Sequence, residues 1–441
     1  MFSILKTAPN LLLFHKLFYG ITMTTRFLIC FLAFAAYCSP YLDAQTPSTD
    51  DGAQWAQWRG PSRDGLLPEG SLPESIDEDS LKKKWAMPLG PSYSGPLVVG
   101  DSVYVTETKD KKLEVVTAID LLTGKTIWKS EWEGSMRVPF FAASNGSWIR
   151  ATPAYDDGRL YVAGIRDVLV CLDASNGKII WKLDFPGDTG SAAPNFGFVC
   201  SPLIDGEYLY VQAGGGFKKL EKSSGKVVWS SLEDGGGMNG SAFSSPVIAE
   251  LGGKRQAVVQ TRGALCGVDL ETGRQLWSQA VKTFRGMNIL TPTIWNGSVF
   301  TSTYGGTTQL INVASAGTTN NFVTSQMWSA PVEGYMSSPV IIDGHSFVHL
   351  RNQRFACFDL QTGEEKWRSK PFGKYASLIG AGDKILALDQ KGELLLFSAS
   401  SDKFELIERR KVGDDSWAHL AVKGKMILIR NLDEVVAYKW E

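Results

Sequence analysis

The feature that most constrains the fold is a nine-residue phrase that recurs along the chain, first at residues 120–128. In most copies an Asp comes first, a glycine follows four positions later, and a tryptophan follows four positions after that. The residue after the glycine is Lys in three copies, Arg in one and Glu in one, so the glycine and the tryptophan are the constant positions. This pattern indicates a tight turn with positive φ, followed by a strand that carries a large apolar anchor. The five copies end at Trp128, Trp181, Trp229, Trp277 and Trp367.

The first copy contains Gly124-Lys125-Thr126, the letters that end a phosphate-binding loop. Such a loop needs an earlier glycine five positions before the Gly-Lys pair, and Ile119 occupies that position. The residues that follow are β-branched and aromatic, which favours a strand over the helix that a phosphate site requires. The phrase is therefore interpreted as a structural turn.

Each unit also has an opening phrase, in which Ser or Thr before a proline precedes an apolar run, a glycine turn and a second strand. Eight openings are spaced by roughly 40 to 57 residues, and the last two lack the proline. A repeat of this length, made of four short strands, is typical of a β-propeller blade. The openings begin at Ser94, Thr152, Ser201, Ser245, Thr291, Ser338, Ser377 and Trp417.

The ends of the repeat array predict how the ring closes. Trp328 closes a sixth unit without its glycine, and the last unit stops at Trp440 without an outer strand. Residues 81–89 form a spare strand with Trp85 where a blade-closing tryptophan belongs. We therefore predict an all-β, eight-bladed propeller of four-stranded antiparallel blades over residues 81–441. The N-terminal strand is expected to complete the last blade and remove an exposed edge.

Residues 1–44 are predicted to be a leader and signal peptide, with the true start at Met23. Arg26 precedes ten apolar residues, and Ala44 offers a cleavage point. An uncleaved anchor is the alternative, although ten apolar residues are too few to span a bilayer. Lipoprotein cleavage at Cys38 is a second alternative. We expect an exported protein, periplasmic or extracellular, with association with the outer membrane as a further option. It is expected to have no transmembrane span after signal removal, and residues 45–80 are expected to form a lead-in segment.

The composition argues against nucleic acid as a partner, and the positions of the cysteines argue against disulfides. The 441 residues carry a net charge of −1 with 21% charged residues, so no basic surface argues for nucleic acid. Four cysteines follow the signal peptide, and three of them occupy matching strand positions of units that are not neighbours in sequence. We therefore expect small buried side chains rather than disulfides.

A candidate binding site lies where the loops entering the innermost strands meet at the channel mouth. These loops combine aromatic residues with Arg and Asn, which suits a pocket for a planar or polar ligand. The alternative is that the same side chains seal the channel and satisfy loop backbone groups. The candidates are Trp148, Arg150, Asn195, Asn239, Arg285, Asn288, Tyr335, Tyr375, Trp417 and His419.

The Ser/Thr-Pro openings and the Asp-x-x-x-Gly-Lys-x-x-Trp closings resemble the repeat of pyrroloquinoline quinone (PQQ) enzymes and of the outer-membrane assembly lipoprotein BamB. The resemblance covers residues 81–441. Residues 55–65, WAQWRGPSRDG, resemble the opening of secreted PQQ-repeat proteins of planctomycete-type bacteria. The resemblance implies the propeller fold and leaves two functions open, a quinoprotein dehydrogenase and a scaffold that binds other proteins.

By resemblance, a quinoprotein would show an adjacent Cys-Cys pair, a Trp stacked on the quinone, and oxygen ligands that hold calcium. Trp148 and Trp417 could stack, and Glu333, Asp414 and Asp415 could supply ligands. However, no two cysteines are adjacent, and the heme motif Cys-x-x-Cys-His is absent from the sequence.

We therefore expect a non-catalytic binding or assembly scaffold for envelope or extracellular proteins, or for a small ligand. A PQQ- and calcium-dependent alcohol or sugar dehydrogenase is the alternative. A sugar- or polymer-acting enzyme is a third class, which a carboxylate pair across the channel would favour.

Overall fold

The computed structural model describes residues 54–241, 243–317 and 321–441. Within these residues the chain forms eight four-stranded antiparallel sheets, and seven of them are built from four consecutive strands. The predicted eight-bladed propeller is confirmed. In each blade the first strand lies innermost and the last strand lies at the outer rim, except that the outer strand of blade 8 comes from the N-terminal side. The expected leader and signal peptide, residues 1–44, lies outside the described residues.

The strands are short, as a repeat with frequent turns requires. The N-terminal strand is β1 (Leu81–Pro88). Blades 1 to 4 contain β2 (Leu97–Val99), β3 (Ser102–Lys109), β4 (Leu113–Asp120), β5 (Thr126–Glu133), β6 (Ala154–Asp156), β7 (Arg159–Gly164), β8 (Val168–Asp173), β9 (Ile179–Asp184), β10 (Leu203–Asp205), β11 (Tyr208–Ala213), β12 (Gly216–Glu221), β13 (Val227–Ser231), β14 (Val247–Leu251), β15 (Lys254–Gln260), β16 (Ala264–Asp269) and β17 (Gln275–Ala280). Blades 5 to 8 contain β18 (Thr293–Trp295), β19 (Ser298–Ser302), β20 (Thr308–Ser315), β21 (Phe322–Ala330), β22 (Val340–Ile342), β23 (His345–His349), β24 (Arg354–Asp359), β25 (Glu365–Pro371), β26 (Ala376–Ala381), β27 (Lys384–Asp389), β28 (Glu393–Ser398), β29 (Leu406–Lys411), β30 (Ala421–Lys423), β31 (Met426–Arg430) and β32 (Glu434–Trp440).

Three short helices lie in the connections between blades. The α-helix α1 spans Phe185–Thr189 between blades 2 and 3. Two 3₁₀ segments, Phe140–Asn145 and Gly237–Asn239, follow blades 1 and 3. No helix in the described part of the chain is long and apolar enough to cross a membrane.

The ring closes between β1 and β32, which pair antiparallel with Leu81 opposite Trp440. The side chain of Trp85 in β1 reaches blade 1 and donates its indole N–H to the carbonyl of Leu121 at 2.8 Å. This pairing confirms the predicted closure, because the N-terminal strand supplies the outer strand of the last blade.

The constant tryptophan and glycine of the repeat act across blade boundaries. Trp128 in blade 1 donates to the carbonyl of Ala174 in blade 2 at 3.0 Å, and its ring covers Gly177, where φ is 76°. A Cβ at position 177 would lie 2.4 Å from that ring, so glycine is required both for the turn and for the contact. The same indole-to-carbonyl bond to the next blade is made by Trp85, Trp181, Trp229, Trp328 and Trp367.

Trp277 in blade 4 is the exception. The sequence that joins β20 to β21 in the next blade lacks the Asp-x-x-x-Gly phrase. The Trp277 indole donates to Oε1 of Gln256 within its own blade at 2.6 Å, and its ring is buried. Trp277 therefore bonds within its blade, whereas the other six tryptophans bond to the following blade.

The Ser and Thr residues of the openings form a belt around the channel. In five openings the hydroxyl oxygen accepts a backbone N–H of the opening in the preceding blade, at 2.9 to 3.1 Å. We call this row of bonds the hydroxyl belt, and it explains why a small hydroxyl residue recurs at these places. Its acceptors are Thr152, Ser201, Ser245, Thr291 and Ser338.

The interiors of the blades are apolar on both faces, because each sheet packs between two neighbours. In β8, for example, five consecutive residues are buried. Cys171, Cys266 and Cys357 lie in the third strands of their blades, and all four described cysteines are buried and free.

Candidate functional site

A cavity of about 760 Å³ opens where the connections between blades enter the innermost strands, and we call it the mouth. Its walls are largely aromatic and apolar. The charged residues that line it are Arg150, Arg262 and Arg285. The mouth therefore combines apolar walls with cationic groups in a space large enough for a ligand or the tip of a peptide.

Most of the aromatic rings around the mouth form two continuous arcs. The longer arc runs from Trp148 through Tyr93 to Trp417, with ring centroids 5.5 and 4.4 Å apart, and Tyr93 and Trp417 are parallel to within 4°. It continues through Tyr375, Tyr335, Tyr304 and Phe284, at centroid distances of 4.4 to 5.7 Å. The shorter arc contains Phe140, Phe141, Phe196 and Phe243. Contacts of this kind fix the rings as a wall.

Two arginines lie where the arcs approach each other. Arg262 packs against Phe196 and Phe243, and its Nη2 donates to the carbonyl of Arg285 at 2.6 Å. Arg150 lies over Tyr93 and donates from Nη2 to the carbonyls of Asn145 and Gly146, in the loop that carries the shorter arc. Burial lowers the pKa of both guanidinium groups, but an arginine stays charged at neutral pH.

A narrower chamber of about 150 Å³ continues beneath the mouth and is surrounded by the hydroxyl belt. His419 lines it, and the imidazole Nδ1 of His419 lies 2.9 Å from the carbonyl of Leu420. Burial, followed by the charge of Arg59, lowers the pKa of His419 to about 4. The imidazole is therefore neutral at physiological pH.

The lead-in segment closes the channel below this chamber, and we call residues 55–67 the plug. Trp55 pairs with Val98 in blade 1, and Leu66 pairs with Gly380 in blade 7. Arg63 donates to the carbonyls of Ser201 and Pro202 in blade 3 and of Pro246 in blade 4.

Arg59 holds the other side of the plug. Its Nη2 donates to the carbonyls of Asp64, at 2.6 Å, and of Pro339 in blade 6. Both arginines also lie over the ring of Trp58, with the guanidinium carbon of each 5.5 to 5.8 Å from the ring centroid. The base is therefore a filled polar junction, and burial lowers the pKa of Arg59 and of Arg63 to about 10.

The structure brings most of the predicted site residues together and leaves three outside the cavity lining. Asn195 donates its backbone N–H to Gly237, and the buried Asn288 donates its side-chain amide to the carbonyl of Thr261. Trp148 packs behind Tyr93. His419 lines only the lower chamber. The predicted residues that line the mouth are Arg150, Asn239, Arg285, Tyr335, Tyr375 and Trp417.

The three metal candidates are engaged in separate places. Glu333 pairs with Arg351 at 2.9 Å, Asp414 pairs with Lys411 at 2.6 Å, and Asp415 accepts the hydroxyl of Tyr93 at 3.2 Å. Among the described residues no group of three or more His, Cys, Asp or Glu side chains could hold a metal ion. The arrangement does not fit a calcium site.

The two tryptophans considered for stacking on a quinone are packed against their neighbours. Tyr93 covers one face of Trp417, and the ring of Trp148 lies directly against Gly146. Of these two, Trp417 lines the mouth, with one ring face already occupied.

The sequence did not predict several residues around the mouth, and it did not predict that the plug closes the channel. Tyr93 precedes the first opening, in the same position as the loops that were selected, so its place in the repeat could have identified it. Arg262 lies in the hairpin turn between β15 and β16, and Phe243 lies two residues before the fourth opening. Arg59 and Arg63 lie in a segment without repeat periodicity, so the repeat gave no indication of their place in the ring.

The repeat architecture and this mouth can now be compared with known proteins. A family model described as outer membrane protein assembly factor BamB matches residues 112–369. The chain belongs to this family. BamB of Yersinia pestis is 22% identical over 354 residues, which cover 77% of this chain and 76% of that protein.

Two further comparisons show the range of relatives. Polyvinylalcohol dehydrogenase of a Sphingopyxis strain is 28% identical over 211 residues, but these cover 44% of this chain and 30% of the dehydrogenase. The solved structure of BamB from Moraxella catarrhalis aligns with a TM-score of 0.59 at 16% identity, over 82% of this chain and 98% of that chain. The BamB relatives therefore match over most of their length, whereas the dehydrogenase matches over a smaller part.

Proposed function

We propose that this protein is exported and acts as a non-catalytic scaffold of the BamB type, which binds a partner protein at the mouth. The observation that carries the proposal is the chemistry of the mouth lining, which consists of aromatic and apolar side chains with three arginines. Membership of the BamB family of outer membrane protein assembly factors supports a binding function rather than a reaction.

The same lining argues against the two enzymatic alternatives. Oxidation of an alcohol needs a group that accepts the hydroxyl proton, and glycoside hydrolysis needs two facing carboxylates. Among the described residues, the lining of the mouth contains no Asp, Glu or His. His419 lines the chamber below the mouth and not the mouth itself. The lining of the mouth therefore supplies neither catalytic group.

Site-specific photo-crosslinking tests the proposal. A benzophenone amino acid replaces Phe141, which is 57% exposed at the mouth, and the purified protein is irradiated with exported and membrane fractions of its source cell. Leu122 is the matched control, since it is also apolar and 69% exposed but lies in the outer turn of blade 1.

We expect one or a few discrete protein adducts from position 141 and none of the same mass from position 122. Identical adducts from both positions, or none from position 141, would contradict binding at the mouth. Reduction of a dye by the protein with PQQ, calcium and a primary alcohol would contradict the non-catalytic part.

A further inference from the structure

The arginines of the mouth keep N–H donors without an acceptor. Among the described residues, Nε of Arg150 and Nη1 of Arg262 have no hydrogen-bond partner, although both atoms are buried. An unpaired buried donor costs free energy, and a charged one costs more. The two guanidinium groups therefore have donor capacity that the described residues do not use.

The charge around these donors is unbalanced. No ion pair is found for Arg150, Arg262 or Arg285 within the described ranges of the chain. Asp234 is the carboxylate whose field raises the pKa of Arg262, but its two oxygens already accept the backbone N–H groups of Gly236 and Ser241. The mouth is thus complementary to negative charge on an incoming group.

The rim extends beyond what a small ligand would cover. Phe140 is 91% exposed, and Phe141, Met238 and Phe284 are between 45% and 57% exposed around the cavity. Exposed apolar side chains grouped around a pocket are typical of a protein-binding surface, in which one anchor enters the pocket and flanking residues cover the rim. The combination favours a peptide segment over a free small molecule.

We propose that the mouth binds an acidic segment of a partner protein, in which an Asp or Glu carboxylate reaches Arg150 and Arg262 while a neighbouring aromatic or large apolar side chain packs on the two arcs. This inference rests on the proposed scaffold function and specifies the chemistry of the partner. A carboxylate on an arginine would form a charge-assisted hydrogen bond, which is stronger than a bond between neutral groups.

Isothermal titration calorimetry with three synthetic probes tests the proposal on the purified chain. The first probe is the blocked peptide Glu-Phe-Asp-Trp-Glu, the second is Lys-Phe-Lys-Trp-Lys, and the third is the small planar anion benzene-1,3,5-tricarboxylate. We expect the acidic peptide to bind with a Kd on the order of 10 to 100 μM, and its affinity to fall as salt is raised. The basic peptide should not bind measurably, and the small anion should bind at least about tenfold more weakly.

Two substitutions connect the binding to the two arginines. Arg150→Gln and Arg262→Gln should each weaken the acidic peptide by about tenfold or more. Arg274→Gln is the matched control, because Arg274 is an exposed arginine in the outer turn of blade 4, the blade that carries Arg262. It should change the affinity by less than about twofold. Melting temperatures measured in parallel show whether each variant is folded.

The outcomes separate this inference from the proposed function. Equal binding of the acidic and basic peptides, or an acidic-peptide affinity unchanged in both folded arginine variants, overturns the acidic-segment inference. If position 141 still crosslinks a partner, the scaffold proposal stands without it. Tighter binding of the small anion than of the acidic peptide overturns the inference in favour of a small-ligand site. Absence of both crosslinking and peptide binding overturns the two proposals together.

Discussion

At the base of the channel and at its mouth, arginines meet aromatic rings in a space that the eight blades surround. At the base, both Nη atoms of Arg59 and of Arg63 donate to acceptors, and carbonyls from blades 3, 4 and 6 are among them. Among the described residues, Nε of each of these two arginines has no partner. At the mouth, the Nη2 atoms of Arg150 and Arg262 donate to rim carbonyls, while Nη1 of Arg262 and Nε of Arg150 have no partner among the described residues.

This difference in how the Nη donors are used indicates a different role for each end of the channel. A buried guanidinium whose Nη donors are satisfied by several blades ties those blades together, because each bond would have to be broken for the ring to open. In the described part of the chain, the guanidinium of Arg262 keeps an unused Nη1 and bonds only to the carbonyl of Arg285, so it contributes less to the fold. The base is therefore interpreted as a structural lock and the mouth as a binding surface.

The largest expected effect comes from the base. Arg63→Ala removes donors to the carbonyls of Ser201, Pro202 and Pro246 and leaves these acceptors buried. We expect the free energy of unfolding to fall by about 3 kcal/mol. Urea denaturation followed by tryptophan fluorescence measures it, with Arg274→Ala as an exposed control. A loss below about 1 kcal/mol would contradict the lock interpretation.

The second prediction uses the neutral imidazole between the two ends. The pKa of His419 is lowered to about 4 in the folded state, against about 6.5 when unfolded, so the unfolded state binds the proton first. Stability is therefore fully present above pH 6.5 and decreases as the pH falls towards 4. We expect His419 to account for about 2 kcal/mol of that decrease.

Denaturation of wild type and of His419→Gln at pH 7, 5.5 and 4.5 checks this prediction. The pKa of His349 is lowered in the same direction, but this residue is common to both proteins, so the difference between the two profiles isolates His419. Parallel profiles would show that His419 is not held neutral by the channel.

How much of this contrast the sequence could predict depends on the range of the interactions. The turn at Gly124, the strand that carries Trp128 and the closing strand with Trp85 follow from local preferences repeated at a constant period, and all three are in the structure. The repeat also placed Tyr375 and Trp417 at the mouth, because equivalent loops must meet at one end of a ring.

The arginine contacts could not be predicted in the same way. Arg262 reaches Phe196 from another blade only because the ring closes, and nothing local in a hairpin turn encodes that distance. Arg63 meets blades 3 and 4 from a segment outside the repeat. The degree of burial was also inaccessible, since Trp128 proves half-buried while Trp277 and Trp367 are buried.

At the mouth, Trp417→Ala tests whether this side chain contributes more to peptide binding than to stability. The substitution removes the stack on Tyr93 and the contact with Tyr375, but the ring is only partly buried. We expect a loss of about 1.5 kcal/mol in the free energy of unfolding, less than for Arg63→Ala. Peptide binding should be lost at the same time, because the apolar wall of the site is removed. A variant that loses more than about 3 kcal/mol would place Trp417 with the structural core.

The smallest expected change in the free energy of unfolding comes from Arg262→Gln. It tests the comparison directly, because it replaces an arginine at the mouth, whereas Arg63→Ala replaces one at the base. Arg262→Gln breaks one bond to the carbonyl of Arg285 and removes a buried charge whose Nη1 has no partner among the described residues. The lost bond and the relieved desolvation act in opposite directions, so the free energy of unfolding should change by less than about 0.5 kcal/mol. Urea denaturation beside Arg63→Ala gives the direct contrast. If Arg262→Gln cost as much as Arg63→Ala, the arginine at the mouth would also be a structural lock, and its unused donor would not indicate a binding surface.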